Sequence, residues 1–112
     1  MADFKKQINK GVLELAVLKL INDADLYGYA IIQEIRKQSD GKLELKDGTL
    51  YPILYRLEDN GFIESYWKEA IGRGKPRKYY KIMDSGVDRL HGMIKDYEEI
   101  AKGIKNILRK GK

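Results

Sequence analysis

The spacing of apolar residues at the start of the chain predicts a helix with two apolar faces. Residues 5–21 carry two stripes whose members recur every three to four positions. One stripe consists of Ile8, Val12, Leu15 and Ala16, and the other consists of Leu13, Val17, Leu20 and Ile21. The surface helix of a monomer needs only one apolar stripe. We therefore expect this helix to pack against its own domain and against a second surface.

The pattern next predicts a second helix and a short extended segment. Residues 22–25 contain residue types that favour a turn and a helix start, and isoleucines at helical spacing then predict a helix over residues 27–38. Residues 39–41 end in a glycine, which favours the end of that helix. Apolar and charged residues alternate over residues 42–46, which favours an extended piece.

A third helix is predicted over residues 47–60. Leu50, Leu54 and Leu57 lie on one face of it at spacings of four and three, and Gly61 follows its end. Proline costs several kcal/mol deep inside a helix but is tolerated in the first turn. Pro52 therefore predicts that this helix begins close to residue 47 with an irregular first turn.

Two strands and a long helix complete the predicted elements. Residues 62–68 and 77–83 are rich in aromatic and β-branched types, and the glycines and proline of residues 69–76 predict a hairpin between them. The last helix, predicted to end near residue 108, carries an apolar residue at alternating spacings of three and four. This seam consists of Val87, Leu90, Ile94, Tyr97, Ala101, Ile104 and Leu108.

An apolar seam over three heptads is typical of helices that pair. A soluble monomer rarely leaves such a patch in water, so we expect dimerisation through the last helix and through Ile8, Val12 and Leu15 of the first helix. An intramolecular bundle is the alternative interpretation of the same seam.

The order of elements predicts a mainly α (α+β) fold, a winged helix-turn-helix with a long C-terminal dimerisation helix. The second and third helices form the helix-turn-helix pair, and the hairpin forms the wing. We expect a winged helix-turn-helix DNA-binding domain over residues 1–83 and the dimerisation helix over residues 84–112.

The distribution of charge indicates a polyanionic partner. The net charge is +5, yet residues 1–45 carry seven basic and seven acidic side chains. Residues 68–78 alone carry five cations and one anion, and they coincide with the predicted wing. The candidate DNA contacts are Lys46, Thr49, Tyr51, Tyr55 and Arg56 at the third helix, and Arg73, Lys75, Arg77 and Lys78 in the wing. A solvated charged loop, and tyrosines that belong to the core, are the alternatives.

Other chemistry finds little support in the sequence. The chain has no cysteine and one histidine, so we expect no metal site and no cofactor. It shows no P-loop, dinucleotide-binding motif or catalytic triad, so we expect no enzymatic activity. No segment resembles a signal peptide or a membrane span, and we expect a cytoplasmic protein with no membrane partner.

The motifs resemble one family of bacterial regulators. They are Tyr27-Gly28-Tyr29, Gly48-Thr49-Leu50-Tyr51-Pro52, the Leu57-Glu58 pair with Gly61, and Pro76-Arg77-Lys78-Tyr79-Tyr80. Their order and spacing over residues 11–86 are similar to those of the PadR family of transcriptional regulators. The length and the single C-terminal helix resemble its short subfamily.

The resemblance implies a homodimer whose third helices bind a pseudo-palindromic DNA operator and repress a nearby promoter. It also implies relief of repression by a small aromatic effector that enters between the two last helices, with Tyr97 and Ile94 as candidate contacts. Two alternatives remain: a small-molecule sensor of the multidrug type whose dimer pore is the main functional site, or a winged-helix module that binds another protein.

Overall fold

The computed structural model of the protein describes residues 2–70, 72 and 74–110. Four helices and a small antiparallel sheet follow one another in the predicted order. They are α1 (Ala2–Asp23), β1 (Leu26–Tyr27), α2 (Gly28–Gln38), α3 (Asp47–Asp59), β2 (Ile63–Lys68), β3 (Arg77–Ile82) and α4 (Asp84–Lys110). The mainly helical architecture and the hairpin between α3 and α4 confirm the predicted fold class.

The sheet contains a strand that the sequence pattern did not predict. Its order is β1-β3-β2, and all pairings are antiparallel. β1 is two residues long, so it has no alternation that could reveal it; Leu26 pairs with Tyr80 and Tyr27 pairs with Tyr79. The expected extended piece at residues 42–46 is wrong, because that segment has no neighbouring strand and forms a loop that places Leu45 in the core.

The core lies between α1, α2, α3 and the inner face of the sheet. Its fully buried side chains come from every helix and include Ile63 and Tyr80 from the two wing strands. One predicted stripe of α1 is buried in the core, whereas Ile8 of the other stripe is 54% exposed, and the second packing surface of this helix stays a prediction. Leu18, which belongs to neither predicted stripe, is also fully buried.

A tight junction joins α3, β2 and α4. Gly61 has a φ of 76° after the C-cap Asn60. The N–H of Phe62 donates to the carbonyl of Leu57 and the N–H of Gly61 donates to that of Glu58, which is a Schellman ending. These bonds turn the chain directly from the recognition-helix position into the first wing strand.

α4 extends well beyond the rest of the chain. At 1.5 Å per residue, its 27 residues span about 40 Å. The radius of gyration is 16.0 Å, whereas a compact domain of this length has about 13 Å. The first turns of α4 pack on α1 and the core, and the second half projects from the headpiece.

One residue of the predicted dimer seam belongs to the protomer's own core. Leu90 is 1% exposed within a single chain, so it has no surface left to bury against a second copy. The prediction that Leu90 belongs to the dimer seam is therefore wrong. The heptad pattern did not separate the half of α4 that covers the headpiece from the half that projects.

Candidate nucleic-acid interface

The buried face of α3 determines which of its residues face solvent. Leu50, Leu54 and Leu57 are at most 1% exposed, as expected, and Ile53 joins them. Because four side chains bury this face, Lys46, Thr49, Pro52 and Tyr55 are exposed to solvent on other sides of α3. Lys46 is the exposed N-cap residue of α3, and its side chain makes no capping hydrogen bond.

Tyr51 and Tyr55 differ in their surroundings. Tyr55 is 55% exposed, whereas Tyr51 is half-buried and packs against the core. Tyr51 lies over Gly28, where a Cβ atom would come within 2.6 Å of its hydroxyl oxygen. The two rings are 6.3 Å apart at a tilt of 37°. Tyr51 thus combines packing against α2 with a partly accessible ring, and Tyr55 is the more exposed of the pair.

Arg56 of α3 forms an ion pair with the first helix. Its Nη2 lies 3.1 Å from Oε1 of Glu14, and its Nε lies 3.4 Å from the same oxygen. Glu14 is in the middle of α1, so this ion pair joins α3 to the helix that carries the two apolar stripes.

The wing cations lie on both faces of the hairpin. In the antiparallel register Trp67 faces Lys78, and Lys68 faces Arg77. Arg77 stacks its guanidinium 4.4 Å from the ring centre of Tyr27, and Lys78 lies 5.8 Å from that of Tyr80. Lys75 is exposed in the connecting loop. The predicted contact Arg73 lies outside the described residues.

The structure adds Lys68 to this group of cations. Its Nζ lies 5.2 Å from the ring centre of Tyr79, directly across the ladder from Arg77. Sequence reasoning counted Lys68 in the charged run but did not assign it a role. The face of the sheet on which Lys68 lies becomes clear only when the pairing of β2 with β3 is known. The sequence does not determine that pairing, because the loop between the two strands is long.

Hydrogen bonds fasten the wing on both faces, to α3 on the inner face and to the turn between α1 and β1 on the outer face. On the inner face, the hydroxyl of Ser65 donates to Oε2 of Glu58 in α3 at 2.7 Å. On the outer face, the hydroxyl of Tyr66 donates to Oδ2 of Asp25 at 2.6 Å, and this hydrogen bond is the main reason that the pKa of Tyr66 is raised to about 12. Burial raises the pKa of Tyr80, which is 2% exposed between the sheet and α3, to about 12.

The wing cations are free of carboxylate partners within the part of the chain that the structure describes. The three ion pairs there are Lys19–Asp23, Arg56–Glu14 and Lys81–Glu64. Lys68, Lys75, Arg77 and Lys78 are in none of them. Unpaired cations on a protruding hairpin are suited to neutralising phosphates.

The projecting half of α4 carries the other unusual surface. Exposed fractions there reach 50% for Tyr97 and Ile104 and 68% for Ile107 and Leu108. Ile94 is half-buried and packs at the edge of the core, one turn before Tyr97. Ile8 of α1 adds to the exposed apolar residues.

The described part of the chain offers no candidate metal centre and no candidate membrane span. No cluster of three or more potential metal ligands occurs among them. None of the helices in the described ranges is apolar over a length that would cross a membrane.

The comparison with known protein families assigns the chain. The sequence profile described as the transcriptional regulator PadR-like family matches residues 17–92, which span α2, α3, the wing and the start of α4. The chain belongs to the PadR-like family of transcriptional regulators. Members of this family regulate transcription and are not enzymes. This confirms the expectation of a transcriptional regulator and the expectation of no enzymatic activity.

Relatives and a solved structure agree with this PadR-like assignment. Protein X of Lysinibacillus sphaericus, described as uncharacterized, is 36% identical over 86% of this chain and 87% of its own length. The negative transcriptional regulator PadR of Bacillus subtilis is 30% identical over 85% of this chain, which matches 52% of that protein. A transcriptional regulator from Clostridium thermocellum has a TM-score of 0.81 at 32% identity and covers 89% of this chain and 96% of its own.

Proposed function

We propose that this PadR-like regulator is a homodimeric repressor that binds a pseudo-palindromic DNA operator. The observation that carries the proposal is that the wing cations have no carboxylate partner among the described residues and that the start of α3 is exposed. The N-terminal part of the recognition helix enters the major groove in helix-turn-helix proteins, and a cationic wing beside it reaches the flanking phosphates.

The proposal divides the contacts by chemistry. Thr49 at the start of α3 and Tyr55 two turns further on carry exposed hydroxyl groups, and they contact base edges or phosphates together with the half-buried Tyr51. Phosphates are bound by the cations Lys46, Lys68, Lys75, Arg77 and Lys78, and by Arg73 on the sequence argument alone. Arg56 is assigned a smaller part, because its guanidinium is already paired with Glu14.

The homodimer accounts for the apolar surface of the projecting helix. The exposed side chains of α4 and Ile8 of α1 form a patch that a monomer in water rarely retains. The proposed seam consists of Ile8, Val12, Leu15, Val87, Ile94, Tyr97, Ala101, Ile104 and Leu108. We assign DNA binding to residues 1–83 and dimerisation to residues 84–112, with the first turns of α4 also completing the core of the headpiece.

Two finer assignments concern the direction of regulation and the effector. Repression is supported by the relative from Bacillus subtilis, which is described as a negative regulator. A small aromatic effector is supported by Tyr97, a half-exposed aromatic ring on the proposed seam, with Ile94 one turn before it. A ligand held there between two copies would change the separation of the two recognition helices and release DNA.

Titration of a fluorescent DNA duplex at several salt concentrations tests the proposal. With about four phosphate contacts in each protomer, the plot of log affinity against log salt concentration should have a slope near −7. A slope near zero would contradict DNA binding and would favour the protein-interaction module.

A charge-matched pair of variants locates the contacts. Lys75→Glu in the wing should weaken DNA binding strongly. Lys102→Glu changes the net charge by the same amount. Because residue 102 is exposed on the projecting half of α4 and is not part of the wing, this variant should have a much smaller effect. Equal losses in the two variants would show that net charge, and not the wing, governs binding.

A further inference from the structure

The outer face of the sheet carries one tyrosine from each strand. Tyr79 on the central strand β3 meets the ring of Tyr27 on β1 edge to face, with centroids 5.3 Å apart. Tyr66 on β2 stacks on the other side of Tyr79 at 5.8 Å with an angle of 20° between the planes. The three rings form a continuous tyrosine row across the sheet. Aromatic pairs at these separations stabilise their arrangement beyond the area that they bury.

Two wing cations rest on this tyrosine row. Arg77 lies over Tyr27 at 4.4 Å, and Lys68 lies over Tyr79 at 5.2 Å. Both distances are within the range of a cation–π interaction. The rings therefore restrict where these two cations can lie, and the position of the rings determines where the charges are presented.

The hydroxyl of Tyr66 connects the far edge of the sheet to the helical headpiece. β2 and β1 are at opposite edges of the sheet, two strand spacings or about 10 Å apart. The ring of Tyr66 stacks beside that of Tyr79, and its hydroxyl donates to Asp25, which lies in the turn between α1 and β1. A hydroxyl that donates to a carboxylate makes one of the stronger hydrogen bonds in proteins.

The other attachments of the wing are its pairing with β1 and its inner face, where Ile63 and Tyr80 are buried in the core. β1 pairs with β3 through only two residues, and Ser65 holds the inner face through Glu58. The bond from Tyr66 to Asp25 braces the opposite face, so the hairpin is held from both sides near its base.

We propose that Tyr66, through Asp25 and the tyrosine row, is a positioning residue that fixes the wing so that Lys68 and Arg77 meet DNA phosphates. This inference rests on the proposed DNA-binding function and deepens it. Tyr66 itself touches no DNA in this assignment. Loss of its hydroxyl frees the hairpin to tilt, and Lys68 and Arg77, the last pair of the ladder before the loop, then contact phosphates less often.

The full-length protein with a DNA duplex tests the inference through Tyr66→Phe, which removes one hydroxyl and keeps the ring and the net charge. We expect DNA affinity to fall about fivefold. We also expect the salt slope to become shallower by about 2, because each protomer loses about one phosphate contact at about 0.9 per contact. A role in folding alone would not change the salt slope.

Two variants of the acceptor separate the hydrogen bond from charge. Asp25→Ala and Asp25→Asn remove the same negative charge, but only asparagine retains an oxygen that can accept from Tyr66. We expect Asp25→Asn to bind DNA more tightly than Asp25→Ala, with the wild-type salt slope. Equal affinity and slope in the two variants would overturn the inference.

A matched control removes a comparable hydrogen bond elsewhere. The hydroxyl of Ser85 donates to the carbonyl of Gly61 at 2.6 Å, the same length as the bond from Tyr66 to Asp25. Ser85→Ala should retain the wild-type salt slope. If wild-type protein binds DNA and Tyr66→Phe has the same affinity and slope, the inference alone is wrong. If wild-type protein binds no DNA, the proposed function is wrong and the inference fails with it.

Discussion

Ile104, near the middle of the projecting half of α4, offers a direct measure of the proposed dimer seam. Complete burial of an isoleucine side chain stabilises a protein by about 1.5–3 kcal/mol. Ile104 is 50% exposed in the protomer, so about 1 kcal/mol remains to be gained by each copy on pairing. Two copies contribute about 2 kcal/mol to the dimer. Ile104→Ala should therefore raise the dimer dissociation constant about 30-fold.

Sedimentation equilibrium over a range of protein concentrations measures this constant. Asn106→Ala is the matched control, because residue 106 is exposed on the opposite face of the same helix and also becomes alanine. We expect the control to dimerise as tightly as the wild-type protein. If Ile104→Ala and wild type have the same dissociation constant, the seam does not run through this face. If the wild-type protein stays monomeric at every concentration, the argument from the exposed apolar surface is refuted.

Three further predictions concern the headpiece. Gly28→Ala places a Cβ atom against the hydroxyl of Tyr51 and displaces its ring. We expect DNA affinity in an anisotropy titration to fall about fivefold, with a change in Tm below about 4 °C. A variant with wild-type affinity would show that the position of this ring is unimportant for DNA binding. Arg77→Lys keeps the charge but loses the planar group stacked on Tyr27, and the same titration should show weaker binding than wild type and tighter binding than Arg77→Ala. Burial raises the pKa of Tyr80 from 10.0 to about 12, because the folded state favours the neutral phenol. The contribution of Tyr80 to the free energy of unfolding is therefore complete below pH 10 and is lost as the pH rises toward 12. Thermal unfolding from pH 9 to 12 should show a smaller decline for Tyr80→Phe, and an equal decline would exclude Tyr80 as its source.

The helices were predictable from the sequence because their apolar spacing reflects burial. The inward leucines of α3 and the glycine after its end determine where that helix lies, and both are local features. β1 was not predictable in the same way. Two residues are too few to show alternation, and their pairing with β3 depends on contacts between residues more than 50 positions apart.

The candidate site was predictable in outline and not in its contacts. Exposure of Tyr55 follows from the helical position of the buried leucines. The pairing of Arg56 with Glu14 joins residues 42 positions apart, and no local pattern specifies it. The position of Lys68 and the bond from Tyr66 to Asp25 depend on the hairpin register and the strand order. The sequence does not determine either one, because a long loop joins β2 to β3.

The seam of α4 shows a limit of heptad arguments. Its spacing is regular from Val87 to Leu108, yet Leu90 is buried in the protomer whereas Leu108 is 68% exposed. Periodicity identifies the apolar face of a helix but not the surface that covers it. Only the length of α4 relative to the headpiece separates the two halves.

Selection of bound duplexes from a random DNA pool tests the central claim most directly, because it examines DNA binding and two-fold pairing together. Two protomers joined by their terminal helices should enrich an inverted repeat whose half-sites are centred about one helical turn, or a multiple of it, apart. Enrichment of a single asymmetric motif, or of no motif, would contradict an account in which two α3 helices and two wings bind one duplex.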